Sequence, residues 1–74
     1  MYIVKRMDEI SKKLGENLRR IRKEKGMTQE RICDILDLDR GYISSIENGK
    51  RNPTLSTLKK LADALKISVD ELLK

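Results

Sequence analysis

Apolar residues recur in the first third of the chain at the spacing of an α-helix. We predict a first helix that starts at about Asp8 or Ser11 and ends at Lys25, where Gly26 supplies the left-handed turn that closes a helix. Gly15 lies inside this helix, and we expect it to allow close packing against a neighbour. The apolar stripe of the helix consists of Ile10, Leu14, Leu18 and Ile21.

Two shorter helices are predicted next, separated by a tight turn. Thr28 is the N-cap of the second helix, which ends near Leu36. The turn is Asp37-Leu38, whose leucine enters the core, and Asp39 then caps a third helix that runs to Asn48. The residues expected to face inward are Ile32, Ile35 and Leu36 in the second helix and Ile43 and Ile46 in the third.

A fourth and a fifth helix complete the pattern. Thr54 caps the fourth helix, and Ser68 with Glu71 forms a capping box that opens a short fifth helix ending at Lys74. The fourth helix has the strongest apolar stripe of the chain, formed by Leu55, Leu58, Leu61, Ala62 and Leu65.

These segments predict an all-α fold, a compact five-helix bundle that contains a helix-turn-helix. The chain has 74 residues and neither Phe nor Trp, which indicates one domain with a core of Leu and Ile. Residues 1–10 are interpreted as an N-terminal arm or a helix extension, and the role of residues 1–7 stays open. Residues 11–74 form the predicted domain, with the helix-turn-helix at about 28–48.

The composition leaves little room for catalysis or metal binding. The chain has no histidine and a single cysteine, Cys33, which we interpret as a small buried apolar residue. We therefore expect no enzymatic activity, no metal and no cofactor. A lone cysteine without a signal-peptide pattern indicates a reducing cytoplasm, and no apolar run is long enough to cross a membrane.

Charge is distributed unevenly along the chain. Residues 1–26 hold nine basic and four acidic side chains, residues 27–49 hold two and five, and residues 50–74 hold six and three. Basic segments thus flank an acidic centre, so a polyanion could be held from both sides. Simple solvation of exposed helix faces by lysine is the alternative explanation.

The acidic segment, residues 27–49, has the pattern of a motif that binds DNA. Two helices this short cannot bury much core alone, but they suit a helix-turn-helix whose second helix enters the major groove of DNA. On its outer face, Arg40 can bind the O6 and N7 edge of guanine, and Gly41 permits close approach. Ser44 and Ser45 offer hydrogen bonds.

Four stretches in a fixed order carry a resemblance to a known family. They are Arg22–Gln29, Ile43–Gly49, Asn52–Leu55 leading to Leu61–Leu65, and Ile67–Leu73. Over residues 14–73 the chain resembles the Cro/cI, or XRE-like, helix-turn-helix family. The resemblance implies a lambda-repressor-like fold and a transcriptional regulator that binds double-stranded DNA sequence-specifically.

The resemblance also implies roles for single residues. Base contacts fall to Arg40, Gly41, Ser44 and Ser45, and phosphate contacts to Arg22, Thr28, Gln29, Tyr42, Lys50, Arg51 and Asn52. Arg22 is expected to pair with Glu47, either only to hold the third helix or also to aim its guanidinium at phosphate. Two positions depart from the family pattern, because Cys33 replaces the usual Ala and Asp37 the usual Gly of the turn.

Self-association and further partners complete the prediction. A homodimer on a two-fold operator would double the contacts of a small domain, with Val69, Leu72 and Leu73 at its interface. The alternative is that these residues only cap the core.

Repression would follow from covering a promoter, whereas activation would need contact with RNA polymerase. Short controller proteins of restriction–modification systems resemble the stretch Asp39–Ser44. A protein-interaction module or antitoxin of the same fold is the alternative function.

Overall fold

Five α-helices form the structure, a computed structural model that describes residues 2–74 and the side chains from Glu9 onward. In chain order they are α1 (Tyr2–Glu24), α2 (Gln29–Leu36), α3 (Arg40–Glu47), α4 (Leu55–Leu65) and α5 (Val69–Leu73). The predicted all-α five-helix architecture is confirmed. No helix within the described range is long and apolar enough to span a membrane.

The start of α1 differs from the prediction. The helix begins at Tyr2 rather than at Asp8 or Ser11. Neither Gly nor Pro interrupts residues 2–14, so the backbone can continue the helix upstream of the apolar stripe. The predicted roles of residues 1–7 as an arm concern side chains that lie outside the described part of the chain.

The core lies where α1, α3 and α5 meet the pair α2 and α4. Helix α3 packs on both α1 and α2, and α5 packs on α1 and α4, so the third helix is held from two sides. Burying each large aliphatic side chain contributes about 1.5–3 kcal/mol. The buried apolar residues are Leu14, Leu18, Ile21, Ile32, Cys33, Ile43, Ile46, Leu58, Leu61, Ala62, Leu65 and Leu72.

Three residues predicted for the core are instead exposed: Ile10, Ile35 and Leu55. Ile10 lies one turn before the covered part of α1, and Leu55 occupies the uncovered first turn of α4. The inner face of α2 is centred on Ile32 and Cys33, and Ile35 lies about 100° away from that centre around the helix. Leu38 is partly buried against the core, as predicted.

Local capping follows the sequence with one exception. Asp39 has the extended backbone of an N-cap but makes no side-chain capping bond, and its carboxylate lies over Gly41 instead. Asp37 adopts the left-handed conformation expected for the turn, with φ 56°. The other three predicted caps are confirmed, because in each the side-chain hydroxyl oxygen accepts a hydrogen bond from a backbone N–H three residues later. The distances are 3.0 Å from Arg31 to Thr28, 3.2 Å from Thr57 to Thr54 and 3.4 Å from Glu71 to Ser68.

Gly15 allows α1 and α3 to touch backbone to backbone. A Cβ placed on Gly15 would lie 2.4 Å from the Ile46 carbonyl oxygen and 2.6 Å from that of Glu47. Both distances are too short for any side chain, and both obstacles are main-chain atoms that cannot turn aside. The close packing expected at Gly15 is therefore confirmed, and it sets the separation of the two helices.

We expect Gly15→Ala to lower the free energy of unfolding by about 1–3 kcal/mol, because the added methyl group forces the two backbones apart. In an open helix the same change stabilises by about 1 kcal/mol. Urea unfolding followed by circular dichroism measures the difference. A stabilised Gly15→Ala variant would show that the two helices do not approach this closely.

Candidate nucleic-acid interface

Helix α3 is anchored through one face and exposed on the other. Ile43 and Ile46 are fully buried and fix the helix to the core. On the opposite side, the four predicted base-reading residues share one surface that begins at the N-terminus of the helix. Arg40 and Gly41 are exposed, and Ser44 and Ser45 are half-buried.

A buried carboxylate joins α3 to α1. The Glu47 side chain is completely buried, and Arg22 binds it with two nitrogens, Nε to Oε2 at 2.7 Å and Nη2 to Oε1 at 3.1 Å. The third guanidinium nitrogen, Nη1, donates to the Met27 carbonyl oxygen at 2.8 Å. The structure therefore contains the pair that the family resemblance implied.

Two more side chains complete the shell around this carboxylate. Gln29, the first residue of α2, donates from Nε2 to Glu47 Oε1 at 2.9 Å, and Arg19 Nε lies 3.4 Å from the same oxygen. Arg19 also reaches Asn48 Oδ1 at 3.2 Å. We call Arg19, Arg22, Gln29 and Glu47 the Glu47 cluster. It joins α1, α2 and α3 at a single point.

Burial and hydrogen bonding act in opposite directions on Glu47. Burial raises the pKa of its carboxyl group, but the hydrogen bonds from Arg22 and Gln29 and the charge of Arg22 outweigh this and hold the pKa below the ordinary 4.5. Glu47 is therefore ionised at neutral pH. Burial raises the pKa of the Cys33 thiol, which keeps it in the inert, protonated form.

The position of Arg22 supports one of its two predicted roles. Its side chain is only 9% exposed, and Glu47 and Met27 occupy all three of its nitrogens. A guanidinium turned inward in this way serves as a structural partner of Glu47, and the contact of Arg22 with DNA phosphate stays a prediction. Gln29 differs, because it is half-buried and its amide has a second hydrogen to donate.

The loop between α3 and α4 carries the other predicted phosphate contacts. Lys50, Arg51 and Asn52 are all exposed. The Arg51 guanidinium lies over the ring of Tyr42, 5.2 Å from its centroid, which is within cation–π range. The hydroxyl of Ser11 on α1 donates to Asn52 Oδ1, which orients the amide hydrogens of Asn52 away from α1. The loop is thus tied to α3 through Tyr42 and to α1 through Ser11.

Part of the predicted dimer interface is corrected. Leu72 is fully buried in the core of its own domain, and its carbonyl accepts a hydrogen bond from the buried Asn17 Nδ2 at 2.9 Å. Its side chain cannot also face a second copy. Leu73 is 47% exposed and Val69 is half-buried, so these two keep their predicted place at the surface.

Sequence reasoning missed three polar contacts of this region. Arg19 precedes Arg22 by three residues on the same helix face, and this spacing alone could have indicated a shared partner. Asn17 has no comparable signal, because its partner is a main-chain carbonyl 55 positions away. The proximity of Glu30 to Arg40, at 3.9 Å, also depends on how α2 and α3 cross. No group of three metal-ligating side chains occurs within the described residues.

We expect Glu47→Gln to lower the free energy of unfolding at pH 7 by about 3–5 kcal/mol, because it leaves the Arg22 charge buried without a partner. The folded-state pKa of Glu47 lies below that of the unfolded chain, so the stabilisation is present above pH 4.5 and is lost as the pH falls through the folded pKa. The gap between the wild type and the variant should therefore narrow on acidification.

Urea unfolding between pH 7 and pH 3 measures this gap. The control is Glu24→Gln, which removes an exposed carboxylate paired with Arg20 at 3.5 Å and should change stability by less than about 0.5 kcal/mol. A gap between wild type and Glu47→Gln that stays constant over the pH range would contradict the account.

Comparison with known proteins identifies the family. The sequence model of the helix-turn-helix family matches residues 18–72. Control protein C.MunI of a Mycoplasma species is 46% identical over 67 residues, which cover 89% of this chain and 90% of that protein. The uncharacterized HTH-type transcriptional regulator y4dJ of Sinorhizobium fredii is 45% identical over 64 residues, covering 86% and 83%. The crystal structure of the restriction-modification controller protein C.AhdI from Aeromonas hydrophila superposes with a TM-score of 0.80 at 42% identity, covering 84% of this chain and 94% of that one. The chain belongs to the helix-turn-helix family of DNA-binding transcriptional regulators.

Proposed function

We propose that this DNA-binding regulator reads a specific sequence of double-stranded DNA with the N-terminal half of α3 and acts as a homodimer on a two-fold operator. One observation supports this most. Helix α3 is locked at its C-terminal end by the Glu47 cluster, while its N-terminal residues Arg40 and Gly41 are exposed. A helix anchored at one end and exposed at the other can enter a major groove without losing its position on the domain.

Arg40 is the main determinant of base preference in this proposal. Its long, exposed side chain can donate two parallel hydrogen bonds to the O6 and N7 atoms of guanine. Gly41 contributes no side chain and so allows the helix to approach the base edges. Ser44 and Ser45 add hydrogen bonds that discriminate less strongly between bases.

The proposed phosphate contacts involve residues before and after α3 in the chain, together with Tyr42 of α3 itself. They set the register of the protein on DNA and carry no sequence information. We assign them to Thr28, Gln29, Tyr42, Lys50, Arg51 and Asn52. The N-terminus of α2 strengthens the contacts at Thr28 and Gln29, because its free N–H groups favour an anion.

Dimerisation would place two copies of α3 in major grooves about 34 Å apart. Val69 and Leu73 of α5 form the proposed contact between the copies.

Relatives of this chain include control proteins of restriction–modification systems. We propose the same kind of role here: binding at a promoter in the cytoplasm, without a cofactor and without enzymatic activity. Repression follows if the dimer covers the promoter, and activation would add a contact with RNA polymerase.

We expect Arg40→Ala to weaken binding to the operator by about 1–3 kcal/mol and to relax base preference at one position per half-site. Sites selected from random duplexes, followed by titration of each variant, measure both effects. Lys50→Ala is the matched control, because losing a phosphate contact should weaken all sequences alike and lower the salt slope by about one. Equal weakening by Arg40→Ala on operator and random DNA would refute its role as a reader. Failure of the wild type to select any sequence would instead favour a protein-interaction module.

We expect Leu73→Glu to shift the protein from dimer to monomer, because it places a charge in an apolar contact between copies. Ile35→Glu is a matched control: Ile35 is also 47% exposed but lies on α2, away from the proposed contact. Sedimentation equilibrium over a concentration series distinguishes the two. A wild type that remains monomeric at high concentration, or a monomeric Ile35→Glu beside a dimeric Leu73→Glu, would overturn the α5 interface.

A further inference from the structure

The proposed base reader has an acidic neighbour on the preceding helix. Arg40 Nη1 lies 3.9 Å from Glu30 Oε2, and the two side chains are 68% and 69% exposed. Arg40 is the only basic residue of α3, and Glu30 lies in the first turn of α2. The pair therefore lies on the surface that the proposed function assigns to DNA. Both charges are exposed to water, so neither needs the other for the stability of the fold.

A lone arginine at this position could bind a phosphate as well as a guanine. Attraction of a cation to DNA phosphates is independent of sequence, so an unpaired Arg40 would bind any backbone within reach. A carboxylate beside it cancels much of that attraction. It still leaves hydrogens for a base edge, because the guanidinium has five N–H groups and the Glu30 carboxylate, at 3.9 Å, lies beyond hydrogen-bond distance.

We propose that Glu30 is a specificity-determining residue that acts through Arg40, by competing with DNA phosphates for the guanidinium so that Arg40 is available for guanine. This inference rests on the proposed function. In water an exposed pair is weak, so Glu30 has little effect on the free protein. Its influence grows when DNA excludes water, because the attraction increases as the local dielectric constant falls.

The surroundings of the pair agree with this role. Asp39 places its carboxylate over Gly41, next to Arg40, and so adds a second negative charge to the reading surface. The basic residues Lys50 and Arg51 lie in the loop beyond the other end of α3. Positive charge without an acidic neighbour in sequence thus lies in the loop after α3, whereas carboxylates lie beside Arg40 at the start of the helix.

Two variants that each remove one negative charge test the proposal. Glu30→Gln removes the partner of Arg40, whereas Glu24→Gln removes a similarly exposed carboxylate that pairs with Arg20 on α1. Each variant is titrated with the selected operator and with a random-sequence duplex over a salt series. Thermal unfolding is recorded alongside, and a loss of folded protein affects both duplexes equally and cannot change their ratio.

We expect Glu30→Gln to bind random duplex about three- to tenfold more tightly at about 0.1 M salt, with a salt slope steeper by about one, because Arg40 becomes free to neutralise a phosphate. Operator affinity should change by less than about threefold, so the specificity ratio falls and guanine preference at the Arg40 position weakens. Glu24→Gln should leave the ratio unchanged. In an Arg40→Ala background, Glu30→Gln should act no differently from Glu24→Gln.

Two results would overturn the inference: equal specificity ratios for Glu30→Gln and Glu24→Gln, or a Glu30→Gln effect that persists without Arg40. If the wild type itself shows no operator preference, the proposed function fails and this inference fails with it. If the wild type does prefer its operator and Glu30→Gln keeps the same ratio, only the role of Glu30 fails.

Discussion

The buried carboxylate of Glu47 is the interaction on which the arrangement of this domain depends. It lies at the end of α3, and side chains of α1 and α2 bind both of its oxygens. Removing one partner from a buried ion pair costs far more than the pair contributes, because the remaining charge has no water to solvate it. Rotation or sliding of α3 would break several of these bonds at once. The cluster therefore fixes the direction in which α3 points.

A second constraint sets the distance between the helices. Gly15 brings the backbone of α1 against the last carbonyls of α3, and the buried Ile43 and Ile46 hold the same helix from the core side. The C-terminal end of α3 is thus immobilised, whereas Arg40 and Gly41 at its N-terminus are exposed. Reading bases requires side chains placed to within about 0.5 Å, and a rigid support at one end of a short helix provides this.

Much of this was predictable from the sequence. The periodicity and the capping residues Thr28, Thr54 and Ser68 predict the helices, because both signals are local. Burial proved less predictable, since it depends on which neighbour covers each turn. Ile35 and Leu55 fit apolar stripes but are exposed, whereas Leu72, which also suits a contact between copies, is enclosed by the core of its own domain.

Polar contacts also differ in how far they can be predicted from the sequence. The Arg22–Glu47 pair followed from the family resemblance, but its closure by Gln29 and Arg19 depends on the crossing of three helices, which no local pattern encodes. The contact of Glu30 with Arg40 has the same origin. Local sequence thus specifies the helices and their ends, whereas the environment of each proposed base-reading residue emerges only when the helices are assembled.

Chemical-shift mapping of the ¹⁵N-labelled chain during titration with its selected operator tests the central claim most directly. The account predicts the largest changes at Gln29, from Arg40 to Ser45 and from Lys50 to Asn52, while the Nε signal of Arg22 stays nearly unchanged because the Glu47 cluster remains closed. Large changes confined to α4 and α5, with α3 unaffected, would contradict it.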